Sequence, residues 1–205
     1  MKNFKDFLTE KHTKSLFHST GLDNVESILQ NGLTCAPIVF PGESRHVWDH
    51  SIENEVLRKS LKMNMGQFKK WLNDKKYKNW ASFARHPNND YTRYRFEEDF
   101  SVCILKLNTL KISKYGKIIP VDYSFTVGTQ TMARRGEIEE RIITARDNIP
   151  LLPAIDHAAF IVNDTTDDGE HVDSIKKRYN FPIDVYYYSL CPDIALNKYF
   201  KDLRG

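Results

Sequence analysis

Three observations predict an α+β fold for this chain of 205 residues. A capped amphipathic helix lies near the N-terminus, a long basic helical stretch follows it, and most segments of strand character lie in the second half. Helices in the N-terminal half and strands after them are typical of the α+β class. The sequence has no internal repeat, low-complexity tract or flexible linker, so we expect residues 1–205 to form a single domain.

Composition restricts the classes of function. The hydrophobic share of 40% and the aromatic share of 12% can build a core, while the mean hydropathy of -0.54 leaves a polar surface. The formal net charge is only +3, so an argument for nucleic acid must rest on local clusters of charge. The cysteines Cys35, Cys103 and Cys191 form no CxxC pair, which favours free thiols in a reducing compartment.

The N-terminal segment "MKNFKDFLTEKHTK" contains no continuous apolar stretch, so no signal peptide is expected. No apolar run approaches the roughly 20 residues that cross a bilayer. These two patterns predict a soluble, cytoplasmic protein.

The clearest helix is predicted over residues 23–32. Asp23 is the expected N-cap, and Glu26 completes a capping-box pattern. Gly32 is the expected stop. Apolar residues at helical spacing give this helix one buried face.

A polar triplet joins this helix to the apolar pair before it. Leu16 and Phe17 indicate a buried strand, and His18, Ser19 and Thr20 follow at once. We expect the three polar side chains to line a ligand cleft, because polar side chains grouped at the end of a buried strand indicate binding rather than packing. Residues 34–50, rich in proline and glycine, predict a loop.

A basic helical segment is predicted over about 52–78, with a break near Gly66. Apolar residues recur every three to four positions and predict a buried face. Eight lysines and arginines fill positions between them: Arg58, Lys59, Lys62, Lys69, Lys70, Lys75, Lys76 and Lys78. This face fits nucleic acid, although a merely solvated cationic face has the same pattern.

The second half predicts strands and one short terminal helix. Pro120 places its strand at a sheet edge, because proline cannot donate to a ladder. An acidic loop and a basic turn are expected between the last two strands. The expected strands are "FSVCILKL", "KIIPVDY", "EIEERIIT", "HAAFIVND" and "IDVYYYSL", and the helix is "DIALNKYFKDL".

Residues 134–143 bring acids together on a strand. Glu137 and Glu139 are two positions apart, so both leave the same face, where like charges repel unless a cation or ligand uses them. Carboxylates there can bind a sugar hydroxyl or stabilise an oxocarbenium ion. The alternative is a solvated outer face on which Arg135 and Arg141 pair with the acids.

The segment "ASFAR" (residues 81–85) predicts another polar strand end. Ser82 can bond a ligand amide, and Arg85 just beyond it suits a phosphate. An ordinary surface strand explains the same residues.

The order of these three motifs resembles the ADP-ribosyltransferase superfamily, in its bacterial and phage branch. The motifs are the H-S-T first strand with its helix, the S-F-A-R strand and the E-x-E strand. This resemblance implies an α+β, ADP-ribosyltransferase-like fold in which two facing β-sheets form a cleft for NAD. NAD would be the substrate, and no metal site is expected.

The resemblance also implies roles for individual residues. Glu139 would be the catalytic acid, and Glu137 would orient the acceptor. His18 would hold the ribose of NAD and would also be one of the catalytic residues. The expected NAD-binding residues are His18, Ser19, Thr20, Ser82 and Arg85. Glu140 lies beside Glu139, so the register that puts an acid in the cleft remains open.

The activity implied is transfer of ADP-ribose from NAD to a macromolecular acceptor, either protein or nucleic acid. A toxin or a phage factor that modifies its host would be a setting for such an enzyme. The basic face at 55–78 and the segment "YTRYRF" (residues 91–96) would suit a nucleic-acid acceptor, and the latter would equally suit the adenine and pyrophosphate of NAD.

Two alternatives remain open. An RNA 2'-phosphotransferase of the same fold would use NAD to remove a phosphate, and it needs several cationic residues in the cleft. A non-catalytic module that binds nucleic acid or protein would keep the fold without the chemistry. Metal binding is not expected, because His46 and His50 lack a third ligand and the acidic loop after Asp164 has Ile175 where a calcium loop needs glutamate.

Overall fold

The computed structural model describes residues 15–38, 57–87, 92, 101–121 and 139–203, with only the backbone at Glu139. A mixed eight-stranded sheet is the largest unit of these residues, and a two-stranded sheet lies beside it. The strands are β1 (Ser15–Gly21), β2 (Leu33–Thr34), β3 (Ala36–Pro37), β4 (Asn79–Ala84), β5 (Val102–Asn108), β6 (Lys117–Val121), β7 (Glu139–Thr144), β8 (Asn148–Ile149), β9 (Ile155–Asn163) and β10 (Ile183–Tyr188). The helices are α1 (Leu22–Asn31), α2 (Met65–Lys75), α3 (Thr109–Ile112), α4 (Asp168–Arg178) and α5 (Pro192–Asp202).

The large sheet has the strand order β10-β9-β5-β1-β4-β7-β6, and β3 pairs with β4. All neighbours are antiparallel except β9 and β10, which run parallel with α4 between them in sequence. A parallel pair needs such a crossover. The predicted α+β class is confirmed in this coarse form, and β6 with Pro120 forms an edge as expected.

The sheet is buried on both faces. One face carries Phe83, Leu105 and Phe160 and packs against α1 and α4. The other face packs against α5 at one end and against α2 at the other. Because side chains alternate along each strand, consecutive residues of the central strands enter different cores.

A seam divides the sheet between β1 and β4. β1 pairs with β5 at all seven of its residues, whereas β1 and β4, both fully described, pair at one position, Phe17 with Ala84. The sequence predicted two facing sheets. The described strands instead form one sheet whose halves, β10-β9-β5-β1 and β4-β7-β6, are joined at this single pair.

Helix α1 follows β1 without a side-chain cap. The helix starts at Leu22, so the N-cap is Gly21 and the prediction of Asp23 as N-cap is wrong. The Leu22 amide donates to the Ser101 carbonyl at 3.0 Å, which satisfies a free N–H of the first turn. Asp23 lies in that turn, where its charge is favourable to the helix dipole.

Gly32 ends α1 as predicted, with φ of 87°. We expect Gly32→Ala to lower the free energy of unfolding by about 2–4 kcal/mol, from left-handed strain and overpacking together. An added Cβ would lie 2.7 Å from the Ile149 carbonyl oxygen, and backbone cannot easily move away. Chemical denaturation measures the loss. Gly66→Ala is the matched control, because its nearest neighbour would be a side-chain oxygen 3.5 Å away.

The basic segment contains one described helix, α2, preceded by a helical turn at residues 57–60. The predicted break lies at residues 61–64, slightly before Gly66. Asn64 caps α2 through a capping box with Gln67, with bonds of 2.9 and 3.0 Å. Gly66 is therefore inside the first turn of α2.

Helix α4 contradicts the predicted acidic loop and basic turn and the placement of helices mainly in the N-terminal half. Only Val172 and Ile175 of this helix are buried, so its apolar pattern is too short to identify. Its acids lie in the first turn and its cations in the last turn, an arrangement that stabilises the helix dipole.

The cysteines differ in exposure. Cys35 and Cys103 are buried, and Cys191 is exposed. Burial, and to a smaller extent the charge of Asp147, raises the pKa of the Cys35 thiol to about 11. Burial also raises the pKa of Cys103.

We expect a thiol reagent at neutral pH to label Cys191 alone in the folded protein, because reagents attack the thiolate. Mass spectrometry after brief labelling identifies the modified residue, and labelling in denaturant should reach all three. Rapid labelling of Cys103 in the native state would contradict this burial.

None of the helices in the described parts of the chain is long and apolar enough to cross a membrane. The pair His46 and His50 lies outside the described residues.

Candidate active site

His18 lies on β1 at the seam. Its ring is half-buried, and the centroid of the Phe83 ring on β4 is 6.0 Å away. Thr20 leaves the same face of β1, since it is two residues on, and it is 5% exposed. The first strand therefore places an imidazole and a hydroxyl side by side on this face.

Glu140 lies across the seam on β7. It pairs with Phe83 of β4, and residues opposite each other in an antiparallel pair share a face. Phe83 therefore stands between His18 and Glu140 on one face of the sheet. The side chain of Glu140 is 4% exposed, so this carboxylate is buried.

Arg85, just beyond the end of β4, binds this acid. Its Nε donates to Glu140 Oε1 at 2.5 Å, and Nη2 contacts the same oxygen. The Arg85 side chain is 15% exposed, so both members of the pair are largely removed from water. Such a pair persists because each charge offsets the desolvation of the other.

The backbone beside these side chains has few partners across the seam. Beyond the pair Phe17–Ala84, residues 18–21 of β1 and 81–83 of β4, all of them described, form no register pair with each other, whereas Trp80 on this edge of β4 pairs with Ala36 of β3. Main-chain groups on these edges are strong hydrogen-bonding groups. An amide ligand at the seam would find both donors and acceptors there.

Ser19 and Ser82 are not brought together with His18. Ser19 is the alternate residue of β1, and its hydroxyl shares a 2.6 Å hydrogen bond with that of Thr92. Ser82 pairs with Arg141 of β7. The strand alternation puts both serines on the face opposite His18 and Glu140.

Arg141 does not lie on a solvated outer face. It is 0% exposed, and its guanidinium carbon is 4.0 Å from the centroid of the Trp80 ring. A buried arginine over an indole gains a cation–π interaction. Its stem contributes to packing against the core that α2 covers.

The other predicted acids are described little or not at all. Glu137 lies outside the described residues, and for Glu139 only the backbone is described, paired with Ala84 and Val121. Of the segment 91–96 the structure describes Thr92 alone.

The basic helix lies behind the sheet relative to this group. Phe68 and Leu72 of α2 pack on Ile143 of β7. The side chain of Ile143 lies on the face of the sheet opposite to that of Glu140. Its lysines are exposed on the far side. Helix α2 is therefore not positioned to contact a molecule held between His18 and Glu140.

Sequence reasoning missed two features of this group. One is the position of Phe83, for which the only sequence signal is an aromatic residue beside small ones, a pattern typical of a packing contact. The ion pair of Arg85 and Glu140 had no signal, because 55 residues separate the partners and only the register of β4 and β7 brings them together.

No protein-family profile and no curated protein matches this chain. Solved structures of DarT from Thermus sp. 2.9 are similar to it in fold to a limited degree, each at 13% identity. The structure in complex with NAD+ aligns with a TM-score of 0.46 over 88% of this chain and 100% of that chain. The structure in complex with ADP-ribosylated ssDNA aligns with a TM-score of 0.44 over 87% and 98%.

Proposed function

We propose that this protein is an ADP-ribosyltransferase that cleaves NAD at the seam of its sheet and transfers ADP-ribose to a macromolecular acceptor. The observation that supports it is the placement of His18 and Glu140 on one face, on either side of Phe83, where β1 and β4 part. His18 of the H-S-T motif, Phe83 of the S-F-A-R motif and Glu140 beside the E-x-E pair lie on this face.

The seam is suited to a nicotinamide. An aromatic ring such as Phe83 can pack on the flat pyridinium, and the main-chain edges of residues 19–21 and 81–83 match the donor and acceptor of a carboxamide. His18 and Thr20 offer hydrogen bonds to the adjoining ribose. NAD supplies the glycosidic bond that breaks.

Glu140 is the catalytic acid in this proposal. As the bond between nicotinamide and ribose breaks, positive charge develops at the anomeric carbon, and a carboxylate that bonds the neighbouring hydroxyl stabilises this charge more in the transition state than in the ground state. Glu139 was the acid assigned by the resemblance. We assign this role to Glu140 instead, because its side chain lies on the same face of the sheet as that of His18.

Arg85 holds this acid rather than a phosphate. Its two contacts with Oε1 fix the carboxylate and offset the cost of burying it. The carboxylate held in this way is the group that approaches the ribose. The phosphate-binding role first expected for Arg85 is therefore replaced by a positioning role.

Transfer of label from NAD tests the proposal. Purified protein is incubated with NAD labelled in the adenine ring and with protein, DNA or RNA, and label is followed in the acceptor and in free ADP-ribose. We expect labelled acceptor and released nicotinamide with the wild type, and neither with His18→Ala.

His157→Ala is the matched control. This histidine is also on a central strand, β9, but it bonds Asp184 at 2.9 Å and lies two strands from β1. Its activity should equal that of the wild type. Salt-sensitive nucleic-acid binding without any cleavage of NAD would favour the binding module, and NAD-dependent loss of a 2'-phosphate from RNA would favour the phosphotransferase.

A further inference from the structure

One end of the half-sheet β4-β7-β6 carries a concentration of cations. The basic segment contributes Lys76 and Lys78, the turn before β6 contributes Lys114, β6 begins with Lys117, and Arg146 follows β7. All five side chains are exposed. We call these five residues the cationic end of the sheet.

The fold brings these segments together through specific contacts. Lys117 pairs with Ile143, and the amide of Lys78 donates to the Thr144 carbonyl at 3.0 Å. The Thr144 hydroxyl donates to the Tyr115 carbonyl at 2.6 Å. The cations are therefore neighbours in space, although almost 70 residues separate the first from the last.

The acid that contacts this group among the described residues is Asp147, which pairs with Lys78 at 2.8 Å. That bond, donated by Lys78, is the largest cause of the lowered pKa of Asp147. Among the described residues, one carboxylate against five cations leaves this part of the surface positive. Such a surface attracts a polyanion.

An aromatic side chain distinguishes this surface from a plain lysine patch. The guanidinium carbon of Arg146 lies 5.3 Å from the centroid of the Tyr115 ring. The main chain of Arg146 is also held, since Asn79 Nδ2 donates to its carbonyl at 2.9 Å. A fixed arginine over a half-buried tyrosine gives a planar cation that can lie against a base or bond a phosphate.

We propose that the cationic end of the sheet binds the phosphates of a single-stranded nucleic acid, which is the acceptor of the proposed transferase. Glu140 lies on β7 four residues before Thr144, a separation of about 13 Å along the strand. Residues 141–144 between them are buried, so a nucleic-acid chain with its phosphates held here would pass around the outside of the sheet to bring its modified group to the seam. Only the role of this nucleic acid as the acceptor rests on the proposed function.

Binding of a fluorescent single-stranded oligonucleotide of about 12 nucleotides tests the surface. Fluorescence anisotropy is measured over a series of KCl concentrations for the wild type and for Lys114→Gln/Lys117→Gln. Because each lost phosphate contact lowers the slope of log K against log salt by about one, we expect the slope to fall by about two.

Lys176→Gln/Lys177→Gln is the matched control. It removes the same two charges from exposed positions at the end of α4. Its slope should equal that of the wild type, and thermal melting should show both double variants folded. Equal losses in both double variants, an unchanged slope in the first, or tighter binding to anionic vesicles or to an acidic peptide than to the oligonucleotide would overturn the proposal.

Cleavage of NAD without acceptor separates the two proposals. The Lys114→Gln/Lys117→Gln variant should release nicotinamide at the wild-type rate but label the oligonucleotide less. If the wild type binds the oligonucleotide as expected and cleaves no NAD, the proposed function fails and the surface stands. If NAD is cleaved and the slope does not change, the surface fails alone.

Discussion

Glu140→Gln is expected to slow release of nicotinamide from NAD by about 10²–10³-fold, the usual effect of removing one electrostatic stabiliser of a transition state. Glutamine keeps the shape of the side chain but loses the charge that opposes the developing cation. Glu139→Gln, made at the neighbouring residue, should retain the wild-type rate. Nicotinamide release at saturating NAD measures both.

Folding must be controlled, because Glu140 is also the partner of Arg85. The assay is run well below the melting temperature of each variant, as followed by circular dichroism. Glu140→Asp should recover less than the full rate, since its carboxylate is one methylene short. A large loss in Glu139→Gln with full activity in Glu140→Gln would assign the acid to the residue first expected.

Arg85→Ala should have the largest effect on stability. It removes the cation that contacts the buried carboxylate of Glu140, and removing one partner of a buried ion pair costs about 3–5 kcal/mol. Both side chains are buried enough, at 15% and 4% exposure, for this figure to apply. Urea denaturation measures the free energy of unfolding.

The double variant Arg85→Met/Glu140→Leu provides the control. It replaces the pair by apolar side chains next to Phe83, so most of the stability lost in Arg85→Ala should return. Nicotinamide release should not return. A loss below about 1 kcal/mol in Arg85→Ala would mean that water screens the pair as it screens a surface salt bridge.

Local patterns predicted much of the sheet. The residues of β5, β9 and β10 are themselves sufficient to identify these segments as strands. Pro120 correctly indicated an edge strand. The N-cap of α1 was misplaced because the carbonyl of Ser101, distant in sequence, replaces a side-chain cap. Such a contact depends on tertiary structure and leaves no local pattern.

In the candidate site, too, local features could be predicted and tertiary contacts could not. His18 and Thr20 share a face because alternation requires it, and this could be predicted. The position of Ser82 relative to His18 depends on strand register, which the sequence does not specify. The burial of Arg141 was not foreseen either, because charge predicts exposure, and its contact with the ring of Trp80 joins residues that are distant in sequence.

The single pair between Phe17 and Ala84 has a consequence for local opening of the molecule. Every other junction in the order of the main sheet holds six or seven register positions or, at β6 and β7, five. Separation at β1 and β4 therefore breaks the fewest main-chain hydrogen bonds. Native-state amide exchange would register the two halves as separate cooperative units, with their boundary running through the residues proposed to hold NAD.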